Sequence, residues 1–343
     1  MNMVASVDKA KTVNVVLEPI YKFLYQDGVD EVTINREKEI WVKYGYKWVK
    51  HEINLTEREI RQIISALCTF NGLQLAPNLS MILPNGERCQ ATLAPSVVDG
   101  YISFNIRKHS TTIYTLDDLV KQGAFANYRD VSTYKSSEQI EQYKDQLDEA
   151  DIKLLELKEQ GNIEEFLKQI VLLKKNILIA GSTGSGKTTF MRSLVLNIPD
   201  DERIITIEDV HELQINQPNH LHLLMGEGKG RLPPQDALKA CMRLSPDRIL
   251  LAEIRGNEAY EFLNSLNTGH SGGMTTVHAN NALASFDRVA TLIKNSEVGR
   301  GLDLESIMMS LNNSLEVILF FKYRKLVEVY FDPIKRIKKN IMS

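Results

Sequence analysis

The sequence predicts an α/β protein: a phosphate-binding domain on a parallel-rich sheet, preceded by a smaller α+β domain. Three observations predict it. Residues 181–189 read GSTGSGKTT, fitting G-x-x-x-x-G-K-[ST] with Gly181, Gly186, Lys187 and Thr188 in the fixed places. An apolar run precedes this stretch (176–180, NILIA) and a helical pattern follows it, the strand–loop–helix order that a phosphate loop needs. Two further short apolar runs, 202–207 (ERIITI) and 248–252 (RILLA), suit strands covered on both faces.

The chemistry of the loop follows from its residues. Glycines at 181, 184 and 186 let backbone N–H groups turn onto phosphate oxygens. The helix N-terminus behind them adds a favourable dipole. Lys187 can reach the outer phosphates, and the Thr188 hydroxyl can ligate Mg²⁺. The nucleotide-contacting set is Gly181, Ser182, Thr183, Gly184, Ser185, Gly186, Lys187, Thr188 and Thr189, and the implied ligands are a nucleoside triphosphate and Mg²⁺.

At 343 residues the chain has room for two domains. A hydrophobic fraction of 43% and a charged fraction of 25% are globular values, and a net charge of −3 excludes a bulk polycation that coats nucleic acid. No apolar run nears the roughly 20 residues that span a bilayer. The N-terminus carries Asp8 and no apolar core, unlike a signal peptide. Cys68, Cys89 and Cys241 lack metal-ligand spacing and read as reduced, buried thiols of a cytoplasmic protein.

In chain order, residues 14–25 have helical spacing and stop at Asp27-Gly28. Residues 31–35, 39–44 and 47–52 alternate as half-buried strands. Thr56 with Glu59 signals a capping box, opening a helix to about Asn71-Gly72. Runs 87–93 and 101–107 read as strands, each behind a turn, and each carries one arginine, Arg88 and Arg107. On residue type alone these are ordinary surface arginines. A short helix over 115–122 ends at Gly123. Residues 127–161 are rich in Lys, Glu, Gln and Asp and read as an exposed, partly helical spacer in which domain motion would be absorbed; the apolar spacing runs for too few heptads to favour a coiled coil. The expected organisation is therefore 1–125, a linker 126–161, the phosphate-loop domain 162–333 and a basic tail 334–343.

Beyond the loop, strand 202–207 delivers Glu208, Asp209 and Glu212, and strand 248–252 delivers Glu253. In open α/β sheets ligands bind at that edge, where a carboxylate holds Mg²⁺ or orients the attacking water. A helix over 233–244 starts with prolines, and 268–280 (TGHSGGMTTVHAN) combines a Gly-rich turn, a short strand, His270 and His278. Either histidine is placed to sense or hydrogen-bond the terminal phosphate. Helix to about 313 and strands 316–321 and 326–331 complete the chain before the tail.

In order, GSTGSGKTT, ITIEDVHEL (206–213), SPDRILLAEIRGNEA (245–259) and TGHSGGMTTVHAN resemble the phosphate loop, aspartate box, glutamate-bearing Walker B and histidine box of the secretion traffic ATPases. EVTINREKEIWVK, LPNGERCQATLAP and ISFNIRKHS look like the N-terminal domain of the hexameric ATPase of type IV secretion and conjugation systems. The resemblance covers about 15–125 and 165–333. It implies a RecA-like C-terminal domain, a PAS-like N-terminal domain and nucleotide between the two. It implies that Arg88 and Arg107 reach the phosphates, and that Thr188, Glu208 and Glu253 share Mg²⁺ binding. Lys187, Glu208, Glu253, Arg88, Arg107 and His278 would then be the catalytic set, with the general base open between Glu208 and Glu253. It further implies a homo-hexameric ring, cytoplasmic and peripheral to the inner membrane, working with channel components and other ATPases of the machine. Such a ring powers pilus biogenesis or transfer of DNA or protein. A type II secretion or pilus assembly/retraction ATPase is the alternative, disfavoured by the N-terminal match and by the lack of a four-cysteine set. The sequence departs from the pattern at His211, where relatives often have proline, and at Ser245, which leaves Arg243 as the nearest arginine. Lys322, Arg324, Lys325 and the tail residues Lys335, Arg336, Lys338 and Lys339 could touch phosphate or anionic lipid, but a solvated tail is the commoner reason for such a run, so nucleic acid is not the primary partner.

Overall fold

The computed structural model describes residues 3–45, 47–108, 112–226 and 231–342, and the chain divides into two compact units, 1–111 and 112–343.

The first unit runs α1 (Met3–Leu24), β1 (Val29–Ile34), β2 (Glu39–Tyr44), β3 (Lys47–Glu52), α2 (Glu57–Asn71), β4 (Asn78–Ile82), β5 (Arg88–Thr92) and β6 (Ser103–Arg107). The strands form an antiparallel sheet in the order β3-β2-β1-β6-β5-β4. Alternation puts Val32, Ile34, Cys89, Ala91, Phe104 and Ile106 on the face that packs with Leu17, Ile20, Ile60 and Ile64 of the helices. The Thr56 capping box forms as its spacing predicts, and Gly72 closes α2 with a left-handed φ of 68°.

The second unit continues with α3 (Leu116–Lys121), β7 (Arg129–Asp130), α4 (Ser137–Tyr143), α5 (Glu149–Glu159), α6 (Ile163–Leu172), β8 (Ile177–Gly181), α7 (Lys187–Val195), β9 (Ile204–Glu208), β10 (His220–Leu224), α8 (Pro234–Met242), β11 (Arg248–Leu251), α9 (Glu258–Asn267), β12 (Met274–Val277), α10 (Ala284–Asn295), α11 (Leu304–Ser314), β13 (Val317–Lys322), β14 (Lys325–Phe331) and α12 (Pro333–Met342). Its sheet has the order β10-β9-β11-β12-β8-β13-β14-β7, parallel at every step except β13–β14. Both faces are covered, which is why the central strands are apolar throughout. Ile177, Ile179, Ile204 and Leu250 meet α3–α7 on one side. Leu178, Ile205, Ile249 and Leu251 meet α8–α11 on the other.

Three expectations from composition are corrected. The boundary falls at 111/112 rather than after 125. The segment 126–161 is no exposed spacer: Ile140, Leu154 and Leu155 are core residues of the second unit, and β7 extends its sheet. Polar composition misled there because one buried stripe per helix is enough to dock it. Even Lys158 is buried, its Nζ 3.0 Å from Asp130 and donating to Ser132 Oγ and the Phe331 carbonyl. The basic tail is likewise structured. Ile334 is in the core, and Arg336 pairs with Glu316 at 2.9 Å and Asp151 at 3.0 Å, carboxylates shared with Lys175. Lys338 lies over the rings of Tyr134 and Tyr143. The side chain of Lys339 lies outside the described residues.

Candidate nucleotide-binding site

β8 is buried over its whole length, so the chain leaves the sheet abruptly at Gly181. A Cβ there would meet the Phe321 carbonyl oxygen at 2.3 Å and Ser185 Oγ at 2.6 Å, which restricts the position to glycine. Gly184 and Gly186 have left-handed φ values of 73° and 97°. Gly186 is the N-cap of α7, and no side chain caps this helix. Its N-terminal N–H groups and positive dipole end are therefore presented to an anion. Ser182, Thr183 and Gly184 are exposed, Thr188 and Thr189 half-buried, and Ser185 Oγ is buried without a hydrogen-bond partner. These features fit a polyphosphate and the cation that accompanies it.

Lys187 Nζ is folded back on the loop, donating to the carbonyls of Gly181 at 3.0 Å and Ser182 at 3.1 Å. Sheet order decides what it meets next. β12 lies between β8 and the Glu253 strand β11, so the loop strand and that carboxylate strand are two spacings apart, roughly 10 Å. An imidazole at the end of β12 fills that gap. His278 Nδ1 lies 3.3 Å from Lys187 Nζ, and its Nε2 lies 2.8 Å from Glu253 Oε1. His278 Nδ1 also lies 3.2 Å from the Gly181 carbonyl, and the close approach of Nε2 to Glu253 is an ion-pair contact in which Oε1 receives no hydrogen bond.

The chain of contacts continues past Glu253. Arg255 donates to Glu253 Oε2 at 2.7 Å and to Asp209 Oδ2 at 2.7 Å. Glu258 fixes this turn by accepting from the backbone N–H groups of Arg255 and Gly256. Burial pushes the Glu253 carboxyl upward, but the contacts with His278 and Arg255 outweigh it and hold its pKa at about 2. The Arg255 guanidinium is correspondingly raised by its two carboxylates, against its own desolvation.

Glu208 does not join this chain. It is fully buried at the end of β9, and both oxygens are engaged. Oε2 accepts from the backbone N–H groups of Glu212 and Leu213, each at 2.7 Å, and Oε1 from the Thr206 hydroxyl at 2.7 Å. Burial raises its pKa, while His222, these N–H groups and Thr206 bring it net below the ordinary carboxylate value. Its neighbour Asp209 is the acid that reaches the Glu253 cluster. Glu208, expected to share Mg²⁺ binding and water activation with Glu253, here turns both carboxylate oxygens onto Thr206 and the loop that follows its own strand. His270 is corrected too. It precedes β12, at the opposite end of that strand from His278, and faces the Pro246 carbonyl. Arg243, the exposed C-cap of α8, also sits at the edge where β11 begins, away from the loop.

Residue reasoning missed Arg255 as a site residue and gave Arg324 only as one of a basic run that could touch phosphate or anionic lipid. The first was visible as Ile254-Arg255-Gly256 directly after Glu253. The second needs the fold. The β13–β14 hairpin turns through Tyr323 and Arg324 at left-handed φ of 54° and 61°, and Arg324 donates its backbone N–H to the Ser185 carbonyl at 3.0 Å.

Arg88 and Arg107 lie in the first unit. They are direct cross-strand partners of β5 and β6, on the sheet face turned away from α1 and α2.

A phosphate loop on a parallel-rich sheet, with one strand between it and the acid-bearing strand, makes the second unit a RecA-like nucleotide-binding domain. Residues 140–328 match the family model described as type II/IV secretion system protein. The type IV secretion system protein VirB11 of Bartonella henselae is 36% identical, over 95% of this chain and 94% of that protein. That of Brucella suis is 37% identical, over 96% of this chain and 92% of that protein. The crystal structure of the VirB11 ATPase from the Brucella suis type IV secretion system in complex with sulphate aligns at TM-score 0.52 and 36% identity, covering 98% of this chain and 99% of that one. The pilus retraction motor PilT with bound ADP shares the fold at TM-score 0.58 and 18% identity, over 96% of this chain and 87% of that one. This chain belongs to the type II/IV secretion system protein family.

Proposed function

We propose that this chain is a Mg²⁺-dependent ATPase that assembles as a homo-hexameric ring and powers substrate transfer or pilus biogenesis in a type IV secretion system. The observation that carries the chemistry is the contact chain Lys187–His278–Glu253–Arg255–Asp209, which ties the phosphate loop to the carboxylate strand. The likeness to VirB11 proteins over nearly the whole chain supports the type IV branch over a type II or pilus-retraction role.

In this reading the loop N–H groups and Lys187 would cradle the phosphates, and Thr188 and Glu253 would hold Mg²⁺. Mg²⁺ supplies charge neutralisation at the β- and γ-phosphates. A carboxylate with a pKa near 2 is a weak base. Held by His278 and Arg255, Glu253 would orient water rather than act as a strong base. His278, in contact with both Lys187 and Glu253, would report phosphate occupancy to the acid strand. Arg88 and Arg107, the remaining residues of the expected catalytic set, are proposed to offset charge on the γ-phosphate. Among the described residues no helix is long and apolar enough to cross a membrane, in keeping with peripheral attachment to the cytoplasmic side of the inner membrane through channel components and partner ATPases.

The test is phosphate release with Mg²⁺ and ATP. Steady release by the wild type, none by Lys187→Ala, and none by Glu253→Gln with ATP still bound support the reading; equal release by all three removes it. Particle images showing a six-fold ring support the assembly, and a stable monomer with ATP overturns it.

A further inference from the structure

Glu208, His211 and His222 converge outside the contact chain described above. We propose that they form a binding site for a borderline transition-metal cation of the zinc(II) class. Three separate elements build it. Glu208 ends β9, His211 lies in the loop that follows, and His222 lies on the edge strand β10, in register with Thr206. Parallel pairing puts Thr206, Glu208 and His222 on one sheet face, and the loop brings His211 back over it.

The distances suit a metal cage as well as the hydrogen bonds now present. His211 Nδ1 and His222 Nδ1 lie 3.3 Å and 3.2 Å from the same oxygen, Glu208 Oε1. Charge-assisted N–H···O⁻ bonds run near 2.7–2.9 Å, so both contacts are long for that purpose. Tetrahedral zinc with bonds of about 2.1 Å has ligand atoms about 3.4 Å apart, which both separations approach. The donor atoms of all three residues lie within 4.8 Å of one another. The carboxylate is already aimed, because its other oxygen is held by two backbone N–H groups. Thr206 lies 2.7 Å from both Glu208 Oε1 and His222 Nδ1. For metal binding the neutral His222 ring carries its proton on Nε2 and ligates through Nδ1, while Thr206 keeps its bond to the carboxylate, the supporting contact that ligating carboxylates need. Two imidazoles and one carboxylate favour zinc-class ions over Mg²⁺. His211 is 52% exposed, so a fourth position is open to water and the ion has a way in. The occupied site would clamp β9, its loop and β10 beside Asp209, which bonds Arg255.

Zn²⁺ is titrated into nucleotide-free full-length protein in excess Mg²⁺, with bound metal measured by equilibrium dialysis and mass spectrometry. Co²⁺ absorption reports the geometry. The expected result is one ion per chain held below micromolar, tetrahedral Co²⁺ bands, and a Tm rise of several degrees on zinc addition. His222→Ala and His211→Ala each weaken binding about 100-fold or more, since losing even a supporting contact costs 10–100-fold. His270→Ala leaves it unchanged. His211→Ala removes a half-exposed side chain and keeps the fold, so the result does not hang on His222 alone. The proposal is overturned by zinc binding that persists in a folded His211→Ala/His222→Ala double variant, or by no binding tighter than micromolar.

Discussion

Arg88 and Arg107 stand directly opposite one another across β5 and β6, two cations on one antiparallel rung. Like charges so placed cost a sheet up to about 1 kcal/mol unless other groups offset them. An anion laid against that face is proposed to add to that offset. Arg88→Ala and Arg107→Ala are expected to lower ATP turnover at least 10-fold while leaving the stability of the first unit unchanged or slightly raised. Turnover assays beside denaturant melts check this; a variant that loses stability in step with activity would assign the arginine to folding instead.

His278 bridges Lys187 and Glu253, so its loss should affect turnover more than binding. His278→Ala is expected to reduce kcat about 10²-fold with a small change in nucleotide affinity, the range for a positioned acid–base group. A large rise in Kd with kcat preserved would contradict the bridging role.

The Glu253 carboxyl is held at about 2, against an ordinary 4.5. The folded state therefore binds this proton less readily than the unfolded chain, and the stabilisation is complete above pH 4.5. It is lost as pH falls from there toward 2. Solvent and coupling trim the effect to about 2 kcal/mol. Denaturant melts stepped through that window should fall less steeply for Glu253→Gln than for the wild type. Parallel curves would mean that the His278 and Arg255 contacts contribute no net stability.

Gly181→Ala pushes a methyl group into the Phe321 carbonyl, so either the loop or the β13 backbone must move. The expected outcome is loss of nucleotide binding and a destabilisation of about 2 kcal/mol or more. Binding of a fluorescent ATP analogue and the Tm report the two effects.

Lys158→Met keeps the apolar stem of a buried side chain but removes the cation facing Asp130. Stranding the partner should cost about 3 kcal/mol, measured as a drop in the second unit's denaturation midpoint. An exposed spacer would tolerate the change, so a midpoint within ~0.5 kcal/mol of wild type would restore that reading.

The loop, the strands behind it and most of the helices were legible in the chain, because each rests on short-range rules. GSTGSGKTT is defined by contiguous residues, β8, β9 and β11 by apolar runs, and α2 by a cap three residues from its partner. β10 escaped notice because His220 and His222 alternate with leucines on an edge strand, which leaves half of it polar. The segment 126–161 escaped because docking needs only one apolar stripe, which a charged composition hides.

The sequence by itself determined that a phosphate-loop pattern exists, which lysine and threonine stand in its fixed places, and that acids at 208, 209 and 253 stand at strand ends. Only the tertiary structure decided which acid faces the loop. Sheet order sets β12 between β8 and β11, so His278 spans from Lys187 to Glu253, while Glu208 turns back onto the N–H groups of its own loop. Strand order and the direction of a side chain after a strand's end depend on contacts tens of residues apart, and no local pattern encodes them.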